Sequence, residues 1–354
     1  MSRFVAMVAL AILAMAACQP APAPEKPVNQ SDNNPMQLKL PVGIEAPPPI
    51  PGDNPMTPAK VELGRLLFFD PRVSVDGNVS CATCHNPVMG FTDGRATSMG
   101  VKAQTGGRSA PTVINLAYAT NGVFWDGRAK SLEEQALGPI ANPIEMGSTH
   151  QGTMARLNGI PGYKEQFKHV FGTDDIKIED AAKAIAAFER TIISGNSSWD
   201  RFQKGDASAL SDSARLGWEL FQKKAECIGC HAGFNLTDNG YHNIGVGLDK
   251  PEPDLGRYVV TKAEEDRGRF KTPTLREIIY TGPYMHDGSE KTLEDVVEFY
   301  NKGGNKNPQL DEKIKPLNLT KEEKANLVAF LKSLNGEGWQ AKMPTSFPPD
   351  VPSK

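Results

Sequence analysis

Two pentapeptides, Cys81-Ala82-Thr83-Cys84-His85 and Cys227-Ile228-Gly229-Cys230-His231, constrain this chain more than any other feature. Cys-x-x-Cys-His is the attachment signature of a c-type haem. Two thiols three positions apart add across the two vinyl groups of one porphyrin, and the next residue lies under the iron as its proximal ligand. The pattern predicts two covalent haem c groups, with His85 and His231 on the irons. A structural zinc site is the other reading of two Cys-x-x-Cys pairs. It requires pairs nearly half the chain apart to meet on one ion, and it leaves both histidines without a role.

Export is legible at the start. Arg3 precedes an apolar run from Phe4 to Ala17 that is short for a membrane span and ends in small residues before Cys18. Residues 1–17 read as a signal peptide, which places the mature chain in the periplasm. Met15-Ala16-Ala17-Cys18 is similar to a bacterial lipobox, so Cys18 reads as a lipidated membrane tether, with ordinary cleavage nearby as the alternative. Residues 18–58 are rich in proline, asparagine and alanine without periodicity and predict a flexible tether. The formal charge of −3 offers no basic patch and excludes nucleic acid as a partner.

Before each haem site the pattern Leu-Gly-x-x-Leu-Phe recurs, at Leu63 to Phe68 and at Leu216 to Phe221, with apolar residues at helical spacing. Helices are also predicted over Ile178 to Ile193, Thr292 to Tyr300 and Thr320 to Leu334, the last with Thr320 and Glu323 placed as a capping box. No segment shows sustained alternation. The fold class is mostly α: two cytochrome c-like domains, residues 59–208 and 209–340, each binding one haem c, with 341–354 as a tail. The connection from Trp125 to Ala209 is assigned to the first domain.

Further motifs occur in a fixed order: Phe124-Trp125-Asp126-Gly127-Arg128-Ala129, the stretch from Gln135 to Glu145, and Pro283-Tyr284-Met285-His286-Asp287-Gly288. With the two haem sites, they make the chain resemble the bacterial dihaem cytochrome c peroxidase and MauG family over residues 55 to 335. The resemblance implies two cytochrome c domains facing each other with a calcium ion between them. It makes Trp125 the tryptophan between the haems, a hopping site for oxidising equivalents. It makes Glu145 the carboxylate beside the peroxide-binding iron, with Gln135 and Pro139 lining the same pocket. Taken alone, Trp125 is more often a packing residue, Glu145 a surface charge and Gln135 a solvated helix residue. Thr281 and Pro283 match positions whose backbone carbonyls hold the calcium. The third ligand, an asparagine in many relatives, aligns near Ser109. His286 matches a histidine near the haem interface, where a structural role fits as well as a chemical one.

Two departures separate branches of the family. The peroxidases carry a histidine sixteen residues after the first proximal histidine, and here that position is Val101, which cannot ligate iron. Their methionine ligand to the second haem falls at Tyr300, where MauG-type proteins have tyrosine. Tyr300 also continues the apolar face of Leu293, Val296 and Val297, so packing alone accounts for its spacing. A tyrosinate oxygen is a hard anionic donor that favours ferric iron, whereas a thioether favours ferrous iron.

The resemblance therefore implies a periplasmic enzyme of the MauG-like branch that uses hydrogen peroxide to form a high-valent haem state and oxidises a protein or other donor. The alternative within enzymes is a peroxidase drawing electrons from a small cytochrome c or copper protein. A non-enzymatic dihaem electron carrier or sensor is the alternative from another class.

Overall fold

The computed structural model describes residues 30–351. The signal peptide and Cys18 lie outside the described residues. The framework is mostly helical, as the sequence predicts: α1 (Pro58–Phe69), α2 (Cys81–Cys84), α3 (Leu132–Ala141), α4 (His150–Asn158), α5 (Pro161–Phe171), α6 (Ile178–Glu189), α7 (Ser198–Gln203), α8 (Asp212–Gln222), α9 (Tyr258–Thr261), α10 (Leu293–Asn301) and α11 (Lys321–Lys332). Strands β1 (Tyr241–His242) and β2 (Phe270–Lys271) pair antiparallel and are too short to show alternation in sequence. Among the described residues no helix is long and apolar enough to cross a membrane.

The recurrent sequence pattern has a packing counterpart. α1 starts where the Thr57 side chain accepts the Lys60 N–H and Pro58 occupies a position that needs no donor. α8 starts the same way at Ser211, which accepts the Ala214 N–H. Both helices then carry their glycine where a second helix crosses. A Cβ on Gly64 would lie 1.8 Å from the Ala184 carbonyl oxygen of α6, and one on Gly217 would lie 1.9 Å from the Asn326 carbonyl oxygen of α11. The pairs α1 with α6 and α8 with α11 organise two separate cores. The first holds Leu63, Leu67, Phe68, Phe91, Phe167 and Phe188, and the second holds Trp199, Phe221, Leu275, Leu293, Leu327 and Phe330.

Several predicted boundaries move. The helix predicted to Ile193 ends at Glu189, because Asn115 captures the following backbone: its N–H donates to Ile192 O (3.0 Å) and its Oδ1 accepts the Ser194 N–H (2.9 Å). Ile192 and Ile193 stay buried without being helical. Thr292 and Thr320 are N-caps just outside α10 and α11, each closing a capping box, with Asp295 and Glu323 respectively. Residues 36–58 are not a free tether. Met36 N–H donates to Met56 O (3.0 Å), Tyr118 OH to Ala46 O (2.8 Å), and Asn54, 0% exposed, donates to Glu133 (2.7 Å) and Lys183 O (3.0 Å). An extended proline-rich chain has no internal partners, so the body of the protein supplies them.

The chain also crosses between its two halves. Trp199, in the connection assigned by sequence to the first half, packs in the second core. Trp339 returns to the first core, and beyond it Gly162 N–H donates to Pro349 O (3.2 Å) while Arg72 pairs with Asp350 (2.6 Å).

Candidate active site

Each Cys-x-x-Cys-His segment folds into one tight turn. Ser80 and Thr83 cap the first reciprocally, and His85 N–H donates to Cys81 O (2.9 Å), so both sulfurs and the imidazole leave the same turn. The second runs through a 3-10 turn, Cys227–Gly229, with His231 N–H donating to Cys227 O (2.9 Å). Both rings are oriented alike: His85 Nδ1 lies 3.2 Å from Phe91 O, and His231 Nδ1 lies 2.9 Å from Leu236 O. A carbonyl only accepts, so Nδ1 carries the proton and Nε2 keeps the lone pair an iron requires. These carbonyls are absent from any motif; only the structure identifies them.

None of the four cysteines of these turns is in a disulfide. Burial, then Glu189, pushes Cys81 far above the usual thiol range; burial raises Cys84 to about 11 and Cys227 to about 12. The two pairs do not converge. Among the described residues the one close set of metal-ligating side chains is Cys230, Asp238 and His242, which joins a single cysteine to a histidine already bonded to Asp238 (2.9 Å) and Asp311 (2.6 Å). The structure therefore disfavours the zinc reading. Two sulfurs and one exposed lone pair per turn are the donor set haem c needs.

Beside the first turn, α3 and the loop after it form a wall. Gln135 and Pro139 share one face of α3 at i, i+4 spacing. The Pro139 carbonyl accepts from Asn142 (3.3 Å) and Met146 (3.2 Å), which folds the loop back and fixes Glu145 between them. Val101 N–H donates to Glu145 O (2.8 Å), and the Val101 side chain, 2% exposed, packs with Val73, Val79, Ile140 and Met146. The half-buried Glu145 carboxyl accepts from Asn142 Nδ2 at 2.7 Å. Burial pushes its pKa up, against the opposing pull of Arg128 and Asn142, and its charge acts on the Cys81 and Cys84 thiols. Asn142 was missed by the sequence reading, although Asn-Pro signals the turn in which its Oδ1 accepts the Ile144 N–H (3.0 Å).

A large apolar cavity opens from the second turn. Its wall carries Cys227, Cys230, His231, Tyr300, Trp125 and His286, with Thr281 and Pro283 nearby. Gln135, Pro139 and Glu145 do not line it. Burial pushes the Tyr300 hydroxyl well above its ordinary pKa, and Cys227 and Cys230 add to the effect. A phenolate there would need a cation in the cavity to offset that cost.

Trp125 spans the two halves. Its Nε1–H donates to Ser109 O (2.9 Å), and its carbonyl accepts the Lys271 N–H of β2 (2.8 Å). Ser109 in turn donates from its N–H to His286 O (2.8 Å) and from its hydroxyl to Met285 O (3.0 Å). His286 is buried and stacks on Phe270 with ring centres 3.6 Å apart; burial lowers its pKa to about 4, which keeps it neutral. Arg108 locks the same seam through Asp126 (2.7 Å) and Asp254 (2.6 Å).

Comparison with known proteins places the chain among dihaem relatives. The family model described as "Di-haem cytochrome c peroxidase" matches residues 58–208. The methylamine utilization protein MauG of Methylorubrum extorquens is 44% identical over 292 residues, covering 82% of each chain. The cytochrome c551 peroxidase of Nitrosomonas europaea is 43% identical over 298 residues, covering 84% of this chain and 86% of that one. A crystal structure of a MauG-like protein associated with microbial copper homeostasis superposes with a TM-score of 0.81 at 34% identity, covering 88% of this chain and 99% of the other. Paired haem-attachment turns joined by one helical scaffold, with relatives of this identity over most of their length, mean that the chain belongs to the dihaem cytochrome c peroxidase and MauG family of oxidoreductases that act on hydrogen peroxide.

Proposed function

We propose that this chain is a periplasmic, MauG-like enzyme that uses hydrogen peroxide to oxidise an external protein, with Trp125 placed to pass oxidising equivalents between the two sites that would hold haem. The observation that carries this reading is Tyr300: it faces the cavity of the second Cys-x-x-Cys-His turn, where a hard anionic donor favours the oxidised metal. Bound haem supplies peroxide activation and storage of oxidising equivalents. Glu145 takes the proton from the near oxygen of peroxide and returns it to the far one, so that water leaves. Gln135 and Pro139 shape the space around that exchange. Val101 places a hydrocarbon where a ligating histidine would close the site. Trp125, hydrogen-bonded to Ser109 and held by β2, keeps its ring between the two halves.

The seam suits a calcium ion held by the Thr281 and Pro283 carbonyls, neither of which accepts a hydrogen bond among the described residues. Carbonyl oxygens are the donors a hard cation prefers. In the proposed arrangement Cys18 anchors the mature chain to the membrane as a lipoprotein.

The second reading, peroxide removal with electrons from a small cytochrome c or copper protein, is favoured by the likeness to the Nitrosomonas peroxidase. One experiment separates the two. The ferric holoprotein is mixed with peroxide without reductant and both haem spectra are followed. A long-lived state oxidised by two equivalents supports the MauG-like reading. A protein that reacts only after prereduction is a gated peroxidase.

A further inference from the structure

Phe91 gives its carbonyl to His85 Nδ1, and its ring stands at the edge of a second aromatic contact on the proximal side of the first haem turn. Trp339, arriving from the C-terminal end of the chain, packs T-shaped against Phe91 with ring centres 6.4 Å apart. The next ring is Tyr280, 5.6 Å from Trp339. Exposure changes abruptly along this row: Phe91 is 0% exposed, Trp339 5% and Tyr280 38%. The row therefore leads from the proximal histidine of the first site to solvent, and it shares no residue with the Trp125 route.

The surroundings of Trp339 suit a positive charge. Glu277 is fully buried, with Oε1 accepting from Ser194 Oγ (2.5 Å) and Gly336 N–H (2.6 Å) and Oε2 left without a partner. Burial pushes the Glu277 pKa up, while the hydrogen bonds from Ser194 and Gly336, the charge of Arg276 and the Trp339 indole N–H, which lies 3.4 Å from Gly336 O, pull the other way. A buried carboxyl group beside an indole lowers the cost of removing an electron from it, because a cation formed there favours the ionised carboxylate and gains a counter-charge in a poorly screened interior. At the far end, exposed Tyr280 can release its phenolic proton directly to water when it is oxidised. Tryptophan and tyrosine are the aromatic side chains that lose an electron most readily, whereas Phe91 serves only as packed medium between the histidine and the indole.

We propose that Trp339 and Tyr280 form a second outlet for oxidising equivalents, which delivers them from the first haem site to small phenolic donors at the protein surface without passing through Trp125 or the second haem. The balance is complete with peroxide as oxidant: H2O2 plus two phenols gives two water molecules and two phenoxyl radicals. In each half of the cycle Trp339 gives up one electron and recovers it from Tyr280. Tyr280 loses its proton to solvent and takes a hydrogen atom from a phenol, which restores it. Exposed Ile279 and Met89 flank Tyr280 with apolar surface; the Tyr280 Cβ would lie 2.8 Å from a Cβ on Gly90, next to Met89. A phenol ring suits such a surface.

The inference rests on the reading that peroxide reacts at the first haem, and its test keeps the two apart. The holoprotein, Tyr280→Phe and Trp339→Phe are each treated with peroxide in the presence of a nitroso spin trap, freeze-quenched for electron paramagnetic resonance, and digested for mass spectrometry. Haem content and peroxide-dependent spectral change are recorded on the same samples. The parent is expected to show a tyrosyl signal and a trap adduct on the peptide bearing Tyr280. Tyr280→Phe should lose both, and Trp339→Phe should lose most of the adduct while keeping both haems and the spectral change. A parent that reacts with peroxide yet forms no adduct at Tyr280, or a Trp339→Phe protein with an undiminished adduct, overturns the outlet alone. A parent whose first haem does not respond to peroxide overturns both readings.

Discussion

Replacing Glu145 by glutamine removes a proton carrier and little else. The Asn142 Nδ2 donor, 2.7 Å from the carboxyl, finds the same acceptor geometry in the amide. Exchanging a charged for a neutral acceptor weakens that bond by about 1 kcal/mol, but burial already opposes the charge at this position, so the two changes offset each other. The fold and both haems should therefore survive. The loss in oxygen–oxygen cleavage belongs to the proton shuttle, whose removal costs about 10² to 10⁴ in rate. Because Glu145 is only half-buried, water can replace it in part, which points to the lower end of that range: about 10²-fold, or roughly 2.7 kcal/mol of barrier. The pH dependence gives a second readout. Only the deprotonated carboxyl takes a proton from peroxide, and its folded pKa lies above the ordinary value. The parent rate should fall as pH drops through that raised pKa, at a higher pH than an exposed glutamate would give, and Glu145→Gln should lack this limb. Stopped-flow mixing of ferric protein with peroxide across pH measures both. An unchanged rate, or the same acid limb in the variant, refutes the assignment and gives the proton to water or another group.

Two substitutions test the ligand readings. Val101→His should bring a nitrogen within reach of the first iron, shift it toward six-coordinate low-spin in optical and magnetic spectra, and slow peroxide binding in the ferric state. The site is tightly packed, since a Cβ on Gly147 would lie 2.7 Å from Val101 Cγ2, so the larger ring should also cost about 1–3 kcal/mol of stability, read as a lower Tm. Tyr300→Met should exchange a hard anionic donor for a soft neutral one and raise the potential of the second haem in spectroelectrochemical titration; an unchanged potential and spectrum would make Tyr300 a packing residue of α10.

Chemistry that is local in sequence was legible in it. The attachment turns, the paired glycine helices and the capping boxes each depend on residues within a few positions of one another, so spacing alone exposes them. What sequence could not show is held by distant partners. Asn115 ends α6 early through bonds across more than seventy positions, and Asn54 fastens a proline-rich segment that composition alone presents as loose. Trp339 packs on Phe91 although a whole half of the chain lies between them. Phe91 O and Leu236 O, which fix the histidine tautomers, are backbone atoms and leave no trace in residue identity. The Ser109 hydroxyl donates to Met285 O, a contact across 176 positions that spacing could not have shown.

The matching glycines at 64 and 217 carry a consequence for how such a protein can change over time. In each half a contact that tolerates no added atom lies on the helix crossing, at a backbone oxygen, whereas the groups proposed to set the behaviour of the iron lie on other elements: Val101 and Glu145 on loops in one half, Tyr300 on α10 in the other. Rigidity and electrochemistry are thus written in separate residues. A single codon change at 101 or 300 can alter what an iron does while the holder stays intact, and one at 64 or 217 threatens the holder whatever the iron does. Two copies of one scaffold could in this way drift into different redox tasks by few steps, each step passing through a folded protein.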